Sequence, residues 1–112
     1  MATPIIDITW GGGLTLARKV AALAEAHARN IAFHDCMGPV TLAVSTHIAL
    51  AAPNVREQEI SRGFCYGWYG NYVDALPPIE QGFVTVPDGP GLRLHLLPHV
   101  EKRDGARHRL SS

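Results

Sequence analysis

Net charge is the first thing this chain lacks. Its 112 residues carry ten basic and ten acidic side chains, so no broad field favours a polyanion, and nucleic acid is not an expected partner. Cysteine is nearly absent as well. Cys36 and Cys65 are the only two, too few for a disulfide framework and without the paired spacing of a metal site, which fits thiols kept reduced in a cytoplasm. Long apolar runs are missing. The most apolar stretch, 40–52, is broken by Thr41, Ser45, Thr46 and His47 and is too short to span a bilayer. The first residues, Met-Ala-Thr-Pro, offer neither a basic stretch nor a following apolar core, so no export signal is read. These absences lead to the expectation of a cytoplasmic protein with no membrane partner.

What is present suffices for one domain, since 46% of the residues are hydrophobic. Residues 4–10 read as a short buried strand bounded by Pro4 and the glycines of "ITWGGGLT". Thr15 is the expected N-cap of a helix running to about Arg29, with Leu16, Val20, Leu23, Ala24 and His27 on one face. Ile31 to Phe33 form a second strand that ends at His34. Gly38-Pro39 opens a second helix that Pro53-Asn54 stops, and 55–60 is a third strand. This alternation predicts an α/β fold with parallel strands joined by right-handed crossovers. Residues 63–75, rich in glycine and aromatics, read as irregular or short helical structure, with the aromatics packing. Two alternating runs, 83–86 and 92–96, flank Pro87-Asp88-Gly89-Pro90-Gly91 and predict a hairpin. The charged tail from Glu101 is expected to be disordered.

Ionisable residues recur at the ends of the three strands. Asp7 and His34 are 27 residues apart, His34 and Glu59 are 25 apart, and each interval is about one strand-plus-helix unit. In parallel α/β architectures reactive groups gather at the C-terminal ends of strands. A carboxylate that accepts from one imidazole nitrogen fixes the tautomer and raises the basicity of the other. Each residue also has a plainer use: Asp7 as a cap for the glycine turn's amides, His34 as a structural histidine, and Glu59 as a solvated neighbour of its rival Glu57. His27 and His47 fall on helices and read as packing or surface residues. The triple glycine before a helix suggests phosphate binding only weakly, because the dinucleotide fingerprint and its downstream acid are missing.

"DITWGGGLT", "FHDCMGPVTLAVSTHIALAAPN", "REQE" and "PDGPGL" together resemble the C-terminal part of the enolase superfamily, in its mandelate racemase and muconate lactonising branch. Within it, histidine followed by Gly-Pro four and five residues later is most similar to the acid-sugar dehydratases of the galactonate type. Arg93 stands where that branch commonly has a second glycine. The resemblance implies the last three strands of a TIM-type (β/α) barrel with a C-terminal hairpin extension: residues 1–62 as barrel units, 63–100 as the extension, and 101–112 as the tail. It implies an Asp7-His34 dyad as base, or as the acid assisting departure of a hydroxyl, with Glu59 at the carboxylate end of the intermediate. It implies Mg2+ as cofactor, held by carboxylates of an upstream segment, so that no metal ligand or cofactor-binding residue is expected in this chain. The implied reaction is dehydration of a sugar acid, with a racemase or cycloisomerase as the alternative. The implied partner is the upstream capping and barrel segment, or a second copy. A non-catalytic remnant acting as an assembly module is the alternative from another class.

Overall fold

A computed structural model describes residues 3–109. Its element order is β1 (Ile5–Ile6), α1 (Gly13–Ala26), β2 (Ile31–Phe33), α2 (Pro39–Ala51), β3 (Val55–Gln58), α3 (Arg62–Gly67), a 3-10 turn (Tyr69–Asn71), β4 (Ile79–Glu80), β5 (Phe83–Val84) and α4 (Pro98–Glu101). The first three strands form one parallel sheet in the order β1-β2-β3. With α1 and α2 as its crossovers it is a barrel segment, and it does not close among the described residues. The expected α/β fold and parallel pairing are present.

Phe33 and Ile31, fully buried, form the centre of the core with Ile8, Ala17, Ala21 and Ile48. The face that α1 buries shares Val20 and Ala24 with the one its periodicity suggested but is turned toward the alanines. Ala17 and Ala21 are buried, whereas Leu16 and Leu23 are exposed. Alanine lets the helix approach the sheet closely, and the larger leucines turn to the outside. α2 buries residues around most of its circumference, and its buried hydroxyls are satisfied: Ser45 Oγ and Thr46 Oγ1 both donate to the Leu42 carbonyl, at 2.9 and 2.8 Å. Asn54, at the entry to β3, donates from Nδ2 to the carbonyls of Ala21 and Arg29, both at 3.0 Å. These bonds tie the entry of the third strand to α1 and to the turn that follows it.

Three local expectations are corrected. β1 is two residues long rather than seven, because the chain curls immediately after Asp7: Gly11 N donates to the Asp7 carbonyl (2.9 Å) and Gly13 N to the Ile8 carbonyl (2.8 Å). The same turn starts α1 at Gly13, capped by Gly12 in the left-handed region (φ 99°), and not at Thr15. The hairpin also lies elsewhere. Phe83–Val84 pairs antiparallel with Ile79–Glu80 across Gln81-Gly82, both at positive φ, a combination suited to a two-residue turn. The run 92–96 does not return on 83–86. Pro87 and Pro90 remove donors, Arg93 takes φ 56°, and Leu96 bridges Val73 instead. The 63–75 segment is short helix, as expected, with Cys65 and Tyr69 in a second core beside Leu42. Of the tail, Glu101 closes α4, while residues 110–112 lie outside the described residues.

Candidate active site

The sheet register places the three ionisable residues. Ile6 pairs with Phe33, and Phe33 pairs with Gln58, so Asp7, His34 and Glu59 are the next residues on three adjacent strands. Backbone bonds hold that row: His34 N donates to the Ile6 carbonyl (3.0 Å) and Glu59 N to the Phe33 carbonyl (2.9 Å). A register shift between Ile31 and Ala32 puts one extra residue, Arg56, into β3. Without it, Gln58 would stand opposite His34. With it, Glu59 does, and Glu57 falls opposite Ala32.

Asp7 serves two partners. Its Oδ1 accepts the Trp10 amide at 2.7 Å, and its Oδ2 lies 2.8 Å from His34 Nδ1. The glycines make this possible, since a Cβ on Gly11 would sit 2.4 Å from the Asp7 carbonyl oxygen. The loop-capping use and the histidine-pairing use of Asp7 are thus both realised. Burial pushes the Asp7 carboxyl up, but the Trp10 amide and the hydrogen bond and charge of His34 outweigh it and hold it below the usual carboxylate range. His34 moves the other way. Its hydrogen bond to Asp7 raises it above the ordinary imidazole value against the effect of burial, with help from the charges of Glu59, Asp7 and Asp35. With Nδ1 committed to Asp7, Nε2 remains free; it stands 3.5 Å from Glu59 Oε2. The Glu59 side chain is 49% exposed and that of Asp7 is 15% exposed, so the row grades from a sheltered to a solvated carboxylate.

Three participants escaped the sequence reading. Asp35 is 1% exposed. Its carboxylate accepts from Tyr69 Oη at 2.8 Å and from Ser61 N at 2.9 Å, and its own amide donates to Glu59 Oε2 at 3.2 Å. It therefore clamps the loop after β2 to the loop after β3. Tyr69 Oη also accepts from Gly38 N at 3.3 Å, and burial and the Asp35 carboxylate push its phenol well above the usual range. Cys36 Sγ reaches 3.5 Å from His34 Nδ1. Paired cysteine spacing does not detect it, because its neighbours come from two strands; the available clue was a thiol two residues after a strand-end histidine. His47, on α2, stays out of the row, and its Nε2 is buried without a partner among the described residues. His27 caps the end of α1.

Magnesium fits these residues poorly. It requires hard oxygen ligands in near-octahedral array. Both Asp7 oxygens are engaged, and the donors that converge within 4.8 Å of one another are those of Asp7, His34 and Cys36, a mixed oxygen, nitrogen and sulfur set.

A parallel strand-helix segment with an Asp-His pair and a glutamate across its C-terminal edge has the form of part of a (β/α) barrel. The chain belongs to the enolase C-terminal domain-like family, whose model matches residues 3–99. It is 34% identical over 95 residues to D-galactonate dehydratase of Verminephrobacter eiseniae, covering 80% of this chain and 25% of that protein. It is 32% identical over 81 residues to D-gluconate dehydratase of Thermoproteus tenax, covering 72% and 16%. An enolase of the mandelate racemase subgroup from Agrobacterium tumefaciens superposes with TM-score 0.82 at 48% identity, over 90% of this chain and 27% of that one. A structure from Burkholderia xenovorans, provisionally assigned as an L-alanine-DL-glutamate epimerase and bound to magnesium and fumarate, gives TM-score 0.70 at 30% identity, over 85% and 23%. The chain spans about a quarter or less of the length of these relatives. Among the described residues no helix is long and apolar enough to cross a membrane.

Proposed function

We propose that this chain supplies the acid–base edge of an acid-sugar dehydratase: residues 1–62 as the last barrel units and 63–100 as an extension. The observation that carries the reading is the single row Asp7–His34–Glu59, with contacts of 2.8 and 3.5 Å. Asp7 holds the Nδ1 proton, so Nε2 accepts the proton beside the substrate carboxylate. The imidazolium that forms is flanked by Asp7 and Glu59. The same Nε2–H then serves to protonate a departing β-hydroxyl. Glu59, exposed and bonded to the Asp35 amide, faces the end of the intermediate where carboxylate charge changes.

The chain's own donors do not make a magnesium site, so the magnesium expected of this branch falls to carboxylates outside the chain, and residues 1–112 alone are inactive. Racemisation or cycloisomerisation is the second reading, favoured by the epimerase-type neighbour, because a base of this kind also serves those reactions. The exposed Ile5, Trp10, Leu16 and Leu23 mark surfaces for the rest of a barrel. The test is a chimera in which residues 3–99 replace the matched segment of the V. eiseniae galactonate dehydratase, assayed against a panel of aldonic and aldaric acids. Dehydration by the chimera and none by the lone chain is expected. A folded chimera that transforms none of the panel overturns the reading in favour of an assembly module.

A further inference from the structure

We propose that Asp7, His34 and Cys36 form a binding site for a thiophilic divalent cation of the zinc class, whose occupancy switches the Asp7-His34 pair off. The site is defined by convergence on one atom. Asp7 Oδ2 lies 2.8 Å and Cys36 Sγ 3.5 Å from the same nitrogen, His34 Nδ1, and the three donors lie within 4.8 Å of one another. Zinc bonds of about 2.0–2.1 Å to nitrogen and about 2.3 Å to sulfur imply a tetrahedral nitrogen–sulfur edge of about 3.6 Å. The observed 3.5 Å separation already has that length. The oxygen–nitrogen edge must open by about 0.5 Å, a small rotation for a carboxylate at a loop. A solvent molecule completes the fourth position.

The donor set selects the cation. Thiolate and imidazole favour zinc and its softer neighbours over magnesium, which takes oxygen. The loop that carries Cys36 is also fixed at both ends: Asp35 is clamped to Ser61 and Tyr69 on one side, and Gly38 N bonds the Tyr69 hydroxyl on the other. The sulfur is therefore held near the histidine without a metal to organise it.

Binding balances simply. The cation takes the place of the proton between Nδ1 and Asp7, that proton passes through solvent to Nε2 so that the imidazole stays neutral, and the thiol gives its own proton to solvent. That nitrogen then has no lone pair with which to accept one. The silencing rests on the proposed acid–base role, but the binding does not, and the two are tested separately.

Titration of the full 112-residue chain with Co2+ is expected to give a thiolate-to-cobalt charge-transfer band in the near ultraviolet, abolished by equimolar Zn2+ and insensitive to millimolar Mg2+. Cys36→Ser removes the band and Cys65→Ala leaves it, with far-ultraviolet circular dichroism confirming that each variant is folded. Asp7→Asn, which keeps the thiol, weakens cobalt binding by at least about tenfold. No band, a band that survives Cys36→Ser, or displacement by Mg2+ overturns the site. In the active chimera, equimolar Zn2+ is expected to slow turnover reversibly, with chelator restoring it, and to have no such effect on the Cys36→Ser chimera. Equal inhibition of both chimeras overturns the switch. An inactive chimera counts against the proposed reaction and leaves the cobalt result to decide the site.

Discussion

Replacing Tyr69 with phenylalanine removes one oxygen and leaves the packed ring in place, so its cost isolates the clamp between the strand-end loops. Tyr69 is 2% exposed, and its hydroxyl donates to Asp35 Oδ1 at 2.8 Å while accepting from Gly38 N at 3.3 Å. Asp35 is itself buried, with Ser61 N as its other partner. A hydrogen bond to a charged acceptor contributes about 1.5–3 kcal/mol net, and leaving the partner buried and unpaired draws on the upper part of that range. The Gly38 bond is longer and adds less. Tyr69→Phe is therefore expected to destabilise the chain by about 2–3 kcal/mol, which in a domain of this size lowers the melting temperature by about 10 °C or more. Denaturant unfolding followed by circular dichroism measures it, with Tyr66→Phe as the control. Tyr66 is 67% exposed, and its variant belongs within about 0.5 kcal/mol of the parent. A Tyr69→Phe cost indistinguishable from that of the control would show that the hydroxyl does not hold the loops together, and the argument that Asp35 positions Glu59 through a fixed backbone would fall with it.

Nuclear magnetic resonance titration of the His34 ring should give a midpoint above the ordinary 6.5, and Asp7→Asn should lower it, since the Asp7 hydrogen bond is the largest cause of the rise. The same pair sets a pH window for stability. The raised His34 contributes below its unfolded value of 6.5 and is lost as pH climbs through the folded value, while the lowered Asp7 contributes above 3.8 and is lost as pH falls through its folded value. The bridge should therefore stabilise most between those two limits, and a denaturation series in which Asp7→Asn costs least in that interval would contradict it. Gly11→Ala should cost about 1–3 kcal/mol by forcing the turn open, because its Cβ would meet the Asp7 carbonyl at 2.4 Å. Calorimetric titration of residues 1–112 with Mg2+ should reveal no specific site, and a tight one would refute the account of the missing oxygen ligands.

The sheet and the row of ionisable residues along its edge were legible because they rest on coarse regularities. Strand-helix units of nearly equal length return the chain to the same edge, and ionisable residues at Asp7, His34 and Glu59 stand out against apolar strands. What the sequence hid depends on single backbone events. Nothing in "VREQE" announces the extra residue at Arg56 that brings Glu59 rather than Gln58 opposite His34, although the family resemblance already implied that glutamate. The leucines of α1 mark an apolar face, but alanines decide which face approaches the sheet. The hairpin was misplaced because the alternating runs 83–86 and 92–96 look like partners, whereas 83–84 pairs back on 79–80 across Gln81-Gly82, both at positive φ, and Leu96 bridges Val73. Asp35 and Cys36 look like loop residues in sequence, and their partners arrive from the ends of other strands.

Deuterium exchange beside the carboxylate tests the central claim most directly. In the chimera that carries residues 3–99, mass spectrometry of a sugar acid recovered from deuterated water should show label at the α-carbon. His34→Asn should cut the rate by about 10²–10⁴-fold, the usual contribution of a positioned general base. Exchange at an undiminished rate in that variant would place the base elsewhere and contradict the role of the Asp7–His34–Glu59 row.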